Sequence, residues 1–413
     1  MTLELEPARV APPLSRNRNY HVLWGSQLVS ELVSQLCLIA FPLMVLAATG
    51  SAARMGGVAA VVAAARMAGG VPAGALVDRF DHRRVMLVCQ GVRTVAMAGL
   101  VAVLLWHHFS LPCVLVAAAA EGLLGAAFDP AEHAALPRVV AESQLSQAVA
   151  RNTTRQYVAT LLGPAGAGFL FAVQRAAPFT VAVGLLATSC VVLCFLDLPR
   201  AAEPGRASAG PPEQAGSVGS GFRWALGHPV IRPTLAWLTG VELCVSALLV
   251  VVLALSGENG LAPGALGLVM TGFGLGGLLG AAFASRLHAA LPAAAVILGF
   301  PWTTAALVLV LALVPAGVPT AVVLGGIACM IPTAFTTVMT YQLTVAPEKL
   351  RGRLSGVIGL FAGGAGAVGP LLGGLLTANR GSHGSLLVLC AALAAVALGS
   401  TLSPALRRFP TLR

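Results

Sequence analysis

Charge is scarce in this chain. Asp, Glu, Lys and Arg make up only 10% of its 413 residues, against roughly 25% in an ordinary soluble domain, and that deficit excludes a water-soluble globule. Lys349 is the single lysine, so the net charge of +10 is carried almost wholly by arginine. The eight cysteines fall inside apolar runs and form no CxxC pair, which argues against disulfides and thiolate metal sites. No G-x-x-x-x-G-K-[ST] phosphate loop occurs, so ATP-driven work by this chain alone is not expected. No apolar stretch precedes about residue 20, and no cleavable signal peptide is expected. His107-His108 stands in a turn without other ligands nearby in sequence and reads as solvated, so no metal site is expected. The glycine-rich run from Gly272 to Gly277 lies in an apolar stretch, where close helix contact explains it better than a dinucleotide does.

What the chain has in abundance is apolar sequence, at 57%. Twelve membrane helices of about 20 apolar residues each would use that supply almost completely. Lipid leaves bare backbone groups unsatisfied, so each long run must be helical. Spans are read at 20–46, 56–77, 84–106, 111–130, 148–172 and 177–196, then at 231–256, 263–285, 291–313, 318–342, 352–377 and 384–402. Between the two sets, residues 198–230 are rich in proline and glycine and read as a linker. The expected fold class is an all-α integral membrane protein with twelve transmembrane helices in two pseudo-symmetric six-helix bundles. The domains follow: a cytoplasmic tail at 1–19, bundles at 20–197 and 231–404 around the cytoplasmic linker, and a cytoplasmic tail at 405–413.

Orientation comes from the basic residues. With the N-terminus inside, eighteen of the 25 Lys and Arg fall on the inner side and three (Arg54, Arg175, Arg380) outside, while Arg66, Arg93, Arg151 and Arg155 lie within helices. That bias places both termini in the cytoplasm. An internal repeat supports duplicated bundles. Val140-Ala141-Glu142 returns as Val345-Ala346-Pro347-Glu348 at an offset of 205, and Gly163-Pro164 returns as Gly369-Pro370 at 206. Parallel repeats of this kind place a substrate site between the halves near the bilayer midplane.

The run Gly74-Ala75-Leu76-Val77-Asp78-Arg79-Phe80-Asp81-His82-Arg83-Arg84 resembles the G-x-x-x-D-R-x-G-R-R signature of the major facilitator superfamily. The stretch from Phe128-Asp129-Pro130 through Leu136-Pro137-Arg138 to Asn152 and Arg155 is similar to the branch containing macrolide and enterobactin exporters. The resemblance covers about residues 19–404. It implies a conformational latch formed by Gly74, Asp78, Arg79, Arg83 and Arg84; the alternative is that these arginines only set topology. Asp81 and His82 depart from the signature, and Ala284 stands where a second-half Asp78 would fall, so any latch is one-sided. Gly163-Pro164-x-x-Ala167-Gly168 is similar to the antiporter motif G-P-x-x-G-G, which goes with exporters. Helix packing by Gly163, Pro164 and Gly168 is the equal alternative.

Intramembrane ionisable residues carry the expected mechanism. Glu31, Glu121 and Glu242 fall near the middle of the first, fourth and seventh spans, which line the cavity by resemblance. A carboxyl group at that depth is costly when charged, which suits proton exchange. The alternative for each is a neutral acid hydrogen-bonded between helices. Relatives have an aspartate where Ser34 stands, and Glu31 sits one turn earlier on the same face. A neighbouring branch has an arginine where Glu121 stands, so its arginine-based relay is not expected. Arg66 is expected to pair with Glu31 or to meet an acidic group of the substrate. Arg93 and Arg155 read as structural or gate residues. Thr337 and Tyr341, with Thr336, Thr340 and Gln342, offer hydrogen bonds toward the cavity, with helix packing the equal alternative.

Together these readings point to a proton-coupled antiporter that exports amphipathic organic molecules such as antibiotics or secondary metabolites. The rivals are an exporter of siderophores or other anionic metabolites, and an importer or lysolipid flippase of the same fold. The expected substrate contacts are Glu31, Arg66, Glu121, Glu242, Thr337 and Tyr341. No enzyme activity, no cofactor beyond the proton gradient and no nucleic-acid partner are expected. A monomer in a bacterial cytoplasmic membrane is expected, its partners being the bilayer and a small molecule.

Overall fold

The computed structural model describes residues 14–106, 109–141, 144–196, 218–261, 263–407 and 409. Every regular element among them is helical. After a single turn at Leu14–Arg16, the first half consists of α1 (Arg18–Thr49), α2 (Ala52–Arg79), α3 (His82–Leu105), α4 (Leu111–Val139), α5 (Leu145–Val173) and α6 (Ala177–Cys194). The short α7 (Val218–Gly227) lies inside the segment read as linker and packs on a later helix, burying Ala225. The second half consists of α8 (Ile231–Glu258), α9 (Pro263–Ala290), α10 (Ala293–Leu311), α11 (Val318–Val345) and α12 (Glu348–Leu402), with the single turn α13 (Pro404–Arg407) behind.

Gly381, at φ 68° and ψ 172°, breaks α12 into arms 348–380 and 382–402, a backbone conformation essentially restricted to glycine. Nine of the described helices are long and apolar enough to cross a membrane. Several run past the expected span ends. The largest extension is in α4, which passes through Pro130 and Pro137 to Val139.

Burial ranks the helices. Two thirds of the apolar window of α8 is buried and more than half of that of α1, against one third for α3 and α6. The first two are therefore central and the last two peripheral. Peripheral positions expose large apolar groups such as Val95, Val116, Phe169 and Val322. Lipid, not water, is the solvent that tolerates so many of them. Within the first half, α2 packs on α4, α3 on α4 and α6, and α1 on α5 and α6; within the second, α8 packs on α12 and α9 on α11.

The halves meet mainly through two helix pairs, α2 with α12 and α5 with α9. Glycine sets both crossings. A methyl group added at Gly56 would overlap the Pro370 carbonyl and stand 2.9 Å from the Gly374 Cα, and one added at Gly267 would overlap the Gly168 Cα. Gly56 and Gly267 each lie four residues into their helices, and Gly374 follows Gly168 by 206 residues. The same contact is thus made twice, once per repeat.

Core packing distinguishes the two ends. At the end holding the 50–51 and 259–261 turns, one cluster joins both halves, from Val33–Val45 of α1 to Cys244–Leu255 of α8. At the end holding the 80–81 and 291–292 turns, each half has its own cluster, around Phe128 and Met86 in the first and around Trp237 and Phe300 in the second. The halves are joined at one end and separately packed at the basic one.

The basic end of the first half is stitched by polar groups. Asn17 caps α1, its Oδ1 accepting from the Tyr20 N–H at 3.1 Å while its Nδ2 donates to the Val139 carbonyl at 2.7 Å. Arg83 donates to the Leu193 carbonyl at 3.3 Å and to that of Cys194, placing a cation where the α6 dipole is negative.

Candidate functional site

A cavity of about 770 Å³ opens between the halves. Ala63, Arg66, Met67 and Gly70 of α2 line one wall. Glu242 of α8 and a face of α12 that includes Gly359, Gly363 and Gly366 line the other. Glycines spaced three or four apart share one helix face, so part of this wall is bare backbone, beside Leu360 and Ala362.

Among the lining residues the charged ones are Arg66 and Glu242, one from each half. The Arg66 side chain is 45% exposed and donates through Nη2 to Asp129 Oδ2 at 3.1 Å, not to Glu31. Asp129 in turn accepts from Gln27 Nε2 at 3.4 Å. The closeness of α2 and α4 explains this partner: a methyl group at Gly122 would stand 3.0 Å from the Arg66 amide nitrogen. The Glu242 carboxyl has neither a hydrogen-bond nor an ion-pair partner among the described residues. Glu31 is half-buried and accepts from Gln35 Nε2, one turn along α1, at 3.1 Å.

Glu121 is placed differently. Together with Arg93 it forms an ion pair with almost no exposure. Arg93 Nε donates to Glu121 Oε2 at 2.9 Å, and Nη2 donates to Oε1. Nη1 donates to Ser30 Oγ at 2.6 Å and to Gln90 Oε1 at 2.9 Å, and Nη2 also donates to Ser34 Oγ at 3.2 Å. All five guanidinium donors are thereby engaged. Ser34 Oγ donates to Glu121 Oε1 at 2.9 Å, and Gln90 Nε2 donates to Ser189 Oγ at 3.0 Å. This closed network joins α1, α3, α4 and α6 and leaves Glu121 3% exposed, away from the cavity.

Further along α4, Glu132 is buried near Arg155, with Oε1 3.7 Å from Nη1, and its Oε2 lies 2.9 Å from His133 Nδ1. Arg155 Nη1 also donates to Asn152 Oδ1 at 3.4 Å. Thr337 is buried, 2.8 Å from His288 Nε2, and donates to the Thr333 carbonyl at 2.7 Å. Tyr341 packs against Phe409 with ring centroids 4.4 Å apart. Neither Thr337 nor Tyr341 lines the cavity.

Arg79 and Arg84 are exposed, while Arg83 caps α6. Gly74 and Asp78 lie on α2 with side-chain positions outside the described residues, as His107 and His108 are altogether. Gly163 brings α5 against α1: a methyl group there would stand 2.5 Å from Gln35 Cβ. Pro164 follows within the same helix, and Gly168 makes the contact to Gly267.

Asp129 and Glu132 have no place among the acids expected to work in the membrane. Glu132 lies beyond the end of the expected fourth span at 130, whereas α4 continues to Val139; Asp129 lies inside that span and is read only as part of a motif. The signal available was the Phe128-Asp129-Pro130 run itself. A second cavity, about 380 Å³, lies between the halves at the joined end, and Glu258 is its charged lining residue.

A family described as transmembrane secretion effector matches residues 9–409. The chain is 29% identical over 396 residues to the multidrug efflux pump Tap of Mycolicibacterium fortuitum, covering 90% of this chain and 92% of that one. It is 24% identical over 380 residues to the enterobactin exporter EntS of Shigella boydii, covering 89% of each. Among solved structures it resembles the nucleoside transporter NupG, with a TM-score of 0.72 at 11% identity over 95% of this chain and all of that one. It also resembles a bacterial homologue of the iron transporter ferroportin in its inward-facing state, with a TM-score of 0.67 at 17% identity over 94% and 98%. These likenesses give the fold: an all-α membrane protein of the major facilitator type.

Proposed function

The chain belongs to the transmembrane secretion effector family of membrane transporters, and from that premise we propose that it exports amphipathic organic molecules by proton antiport. The observation that carries the proposal is the cavity between the halves, in which the Glu242 carboxyl stands without a partner among the described residues, opposite the Arg66–Asp129 pair. The names of the relatives, a multidrug pump and a siderophore exporter, support the outward direction. An anionic cargo, which a free Arg66 would favour, is less well served once that arginine is engaged by Asp129.

With the arginine-rich side in the cytoplasm, the separately packed end faces inward and the joined end outward. Glu242 releases its proton to the cytoplasm, and cargo enters the apolar cavity. The halves then rock, the α2–α12 and α5–α9 glycine contacts at the joined end parting as the basic end closes, and a proton from outside reloads the carboxyl as cargo leaves. Glu31, half-buried on α1, is the second exchanging acid in this scheme. Glu121 serves as the fixed counter-charge of Arg93. The domain limits follow the two bundles, 20–197 and 231–404. A monomer in a bacterial cytoplasmic membrane is sufficient, with no cofactor besides the gradient.

The test is uptake into inverted membrane vesicles with an acid interior, using a macrolide, a tetracycline and tetraphenylphosphonium as cargoes. Accumulation that collapses with a protonophore is expected for at least one of them. Accumulation indifferent to the gradient would contradict antiport, and no accumulation of any amphiphile would contradict export.

A further inference from the structure

The two cavities described above between the halves differ in size but agree, among the described residues, in the sign of their unpaired charge. The larger is bordered by Arg66 and Glu242, the smaller by Glu258. Sixteen residues of α8 separate the two acids, about 24 Å along the helix. Among the described residues Arg66 is thus the lone cation lining either space, and it is already engaged. Asp129 holds it at 3.1 Å, and Gln27 holds Asp129 at 3.4 Å, all three within the first half. The other lining residues of the larger cavity, alanine, methionine, leucine and glycine, offer no side-chain donor. Their helical N–H groups are committed to the backbone. An anion entering here would have to take Arg66 from Asp129 while facing the carboxyl of Glu242. A cation needs neither concession.

We propose that Asp129 is a specificity-determining residue: by holding Arg66 within the first half it leaves Glu242 as the uncompensated charge of the cavity, so that the site takes amphipathic cations and rejects anions. Asp129 acts through Arg66 and is a positioning residue; Glu242 is the group that meets the cargo. The inference rests on the reading of this cavity as the cargo site. It adds the charge class of the cargo and the residue that sets it. Without Asp129 the same cavity would present a free guanidinium opposite one carboxylate. The attraction for a cation would then be cancelled, and an anion would gain a partner.

Equilibrium dialysis of the purified full-length protein in neutral detergent, corrected with empty micelles, tests this with tetraphenylphosphonium and tetraphenylborate, two ions of one shape and opposite charge. Wild-type protein is expected to bind the phosphonium at least about tenfold more tightly. Asp129→Asn is expected to erase or invert that preference. The double variant Asp129→Asn/Arg66→Gln is expected to restore it, a rescue that general damage to the fold would not give. Equal binding of the two ions by wild-type protein, preference for the borate, or binding of neither would overturn the assignment. So would a phosphonium preference that survives Asp129→Asn, or a double variant that fails to regain it. Dialysis needs no gradient, so the two readings fail separately. Proton-driven uptake in vesicles alongside equal binding of the two ions would sink only the charge assignment, whereas loss of driven uptake with the preference intact would strike only antiport.

Discussion

Arg93 and Glu121 show how a buried pair is judged by its partners. Desolvating two charges is expensive, and the attraction between them offsets that cost only when every remaining donor and acceptor is met. Here Ser30, Ser34 and Gln90 complete the guanidinium's set. Arg93→Ala or Glu121→Ala should each destabilise the protein by about 3–5 kcal/mol, seen as a lower unfolding midpoint in detergent. Arg93→Met/Glu121→Leu together should recover most of the loss. Glu242→Gln should behave in the opposite way, leaving the midpoint within about 0.5 kcal/mol of wild type while abolishing proton-driven uptake. Composition and depth were enough to single out Glu31, Glu121 and Glu242 in the sequence, and their mid-helix placement follows from the spans. Partner choice was not legible. Arg93 and Glu121 are 28 residues apart and Arg66 and Asp129 are 63 apart, so no local spacing links them, and the pairing depends on how α2 and α3 lie against α4. Thr337 and Tyr341 turned inward for a similar reason: a helix face is set by its neighbours, His288 and Phe409, which are distant in sequence.

Helices fared better than their contacts as sequence objects. Apolar run length located them within a few residues, because lipid enforces helix wherever the run is long. The fourth helix runs past its expected end at 130 to Val139, because a proline within a membrane helix removes one donor and the remaining turns continue. Glycine is where element and assembly meet. Gly56 and Gly267 sit at the two crossings that join the halves, and any side chain there meets backbone. Gly267→Val should therefore wedge α9 from α5 and favour the state open at the now-joined end. Faster labelling of Leu261→Cys by a membrane-impermeant maleimide, in a background without native cysteines, would reveal it. Unchanged labelling would show that the crossing is not a closing contact. Gly381→Ala should cost about 1–3 kcal/mol, since alanine does not fit the positive φ between the two arms of α12. The same substitution at Gly399, in the second arm and with open space beside it, should be neutral or slightly stabilising.

At the scale of the whole molecule, the repeat, the shared cluster at one end and the split clusters at the other form a single arrangement. Two bundles pack as separate bodies, touch through paired glycine crossings and enclose a cavity with one charged residue from each. In the rocking scheme such a pair of bodies closes one end by opening the other, and the glycine crossings, which lie at the joined end, are the contacts that part when that end opens. The 206-residue offset made the duplication readable in the sequence. The end that is closed was not readable, because both states satisfy the same hydropathy and the difference lies in which side chains meet between halves. Spin labels provide the direct measurement. One pair, Arg54→Cys and Asn379→Cys, spans the joined end; another, Phe80→Cys and Ala290→Cys, spans the basic end, each in a cysteine-free background in lipid nanodiscs. As the medium is acidified or tetraphenylphosphonium is added, the two distances should shift in opposite directions between two discrete populations. Distances that stay fixed under both conditions, or that lengthen and shorten together, would contradict transport by rocking halves.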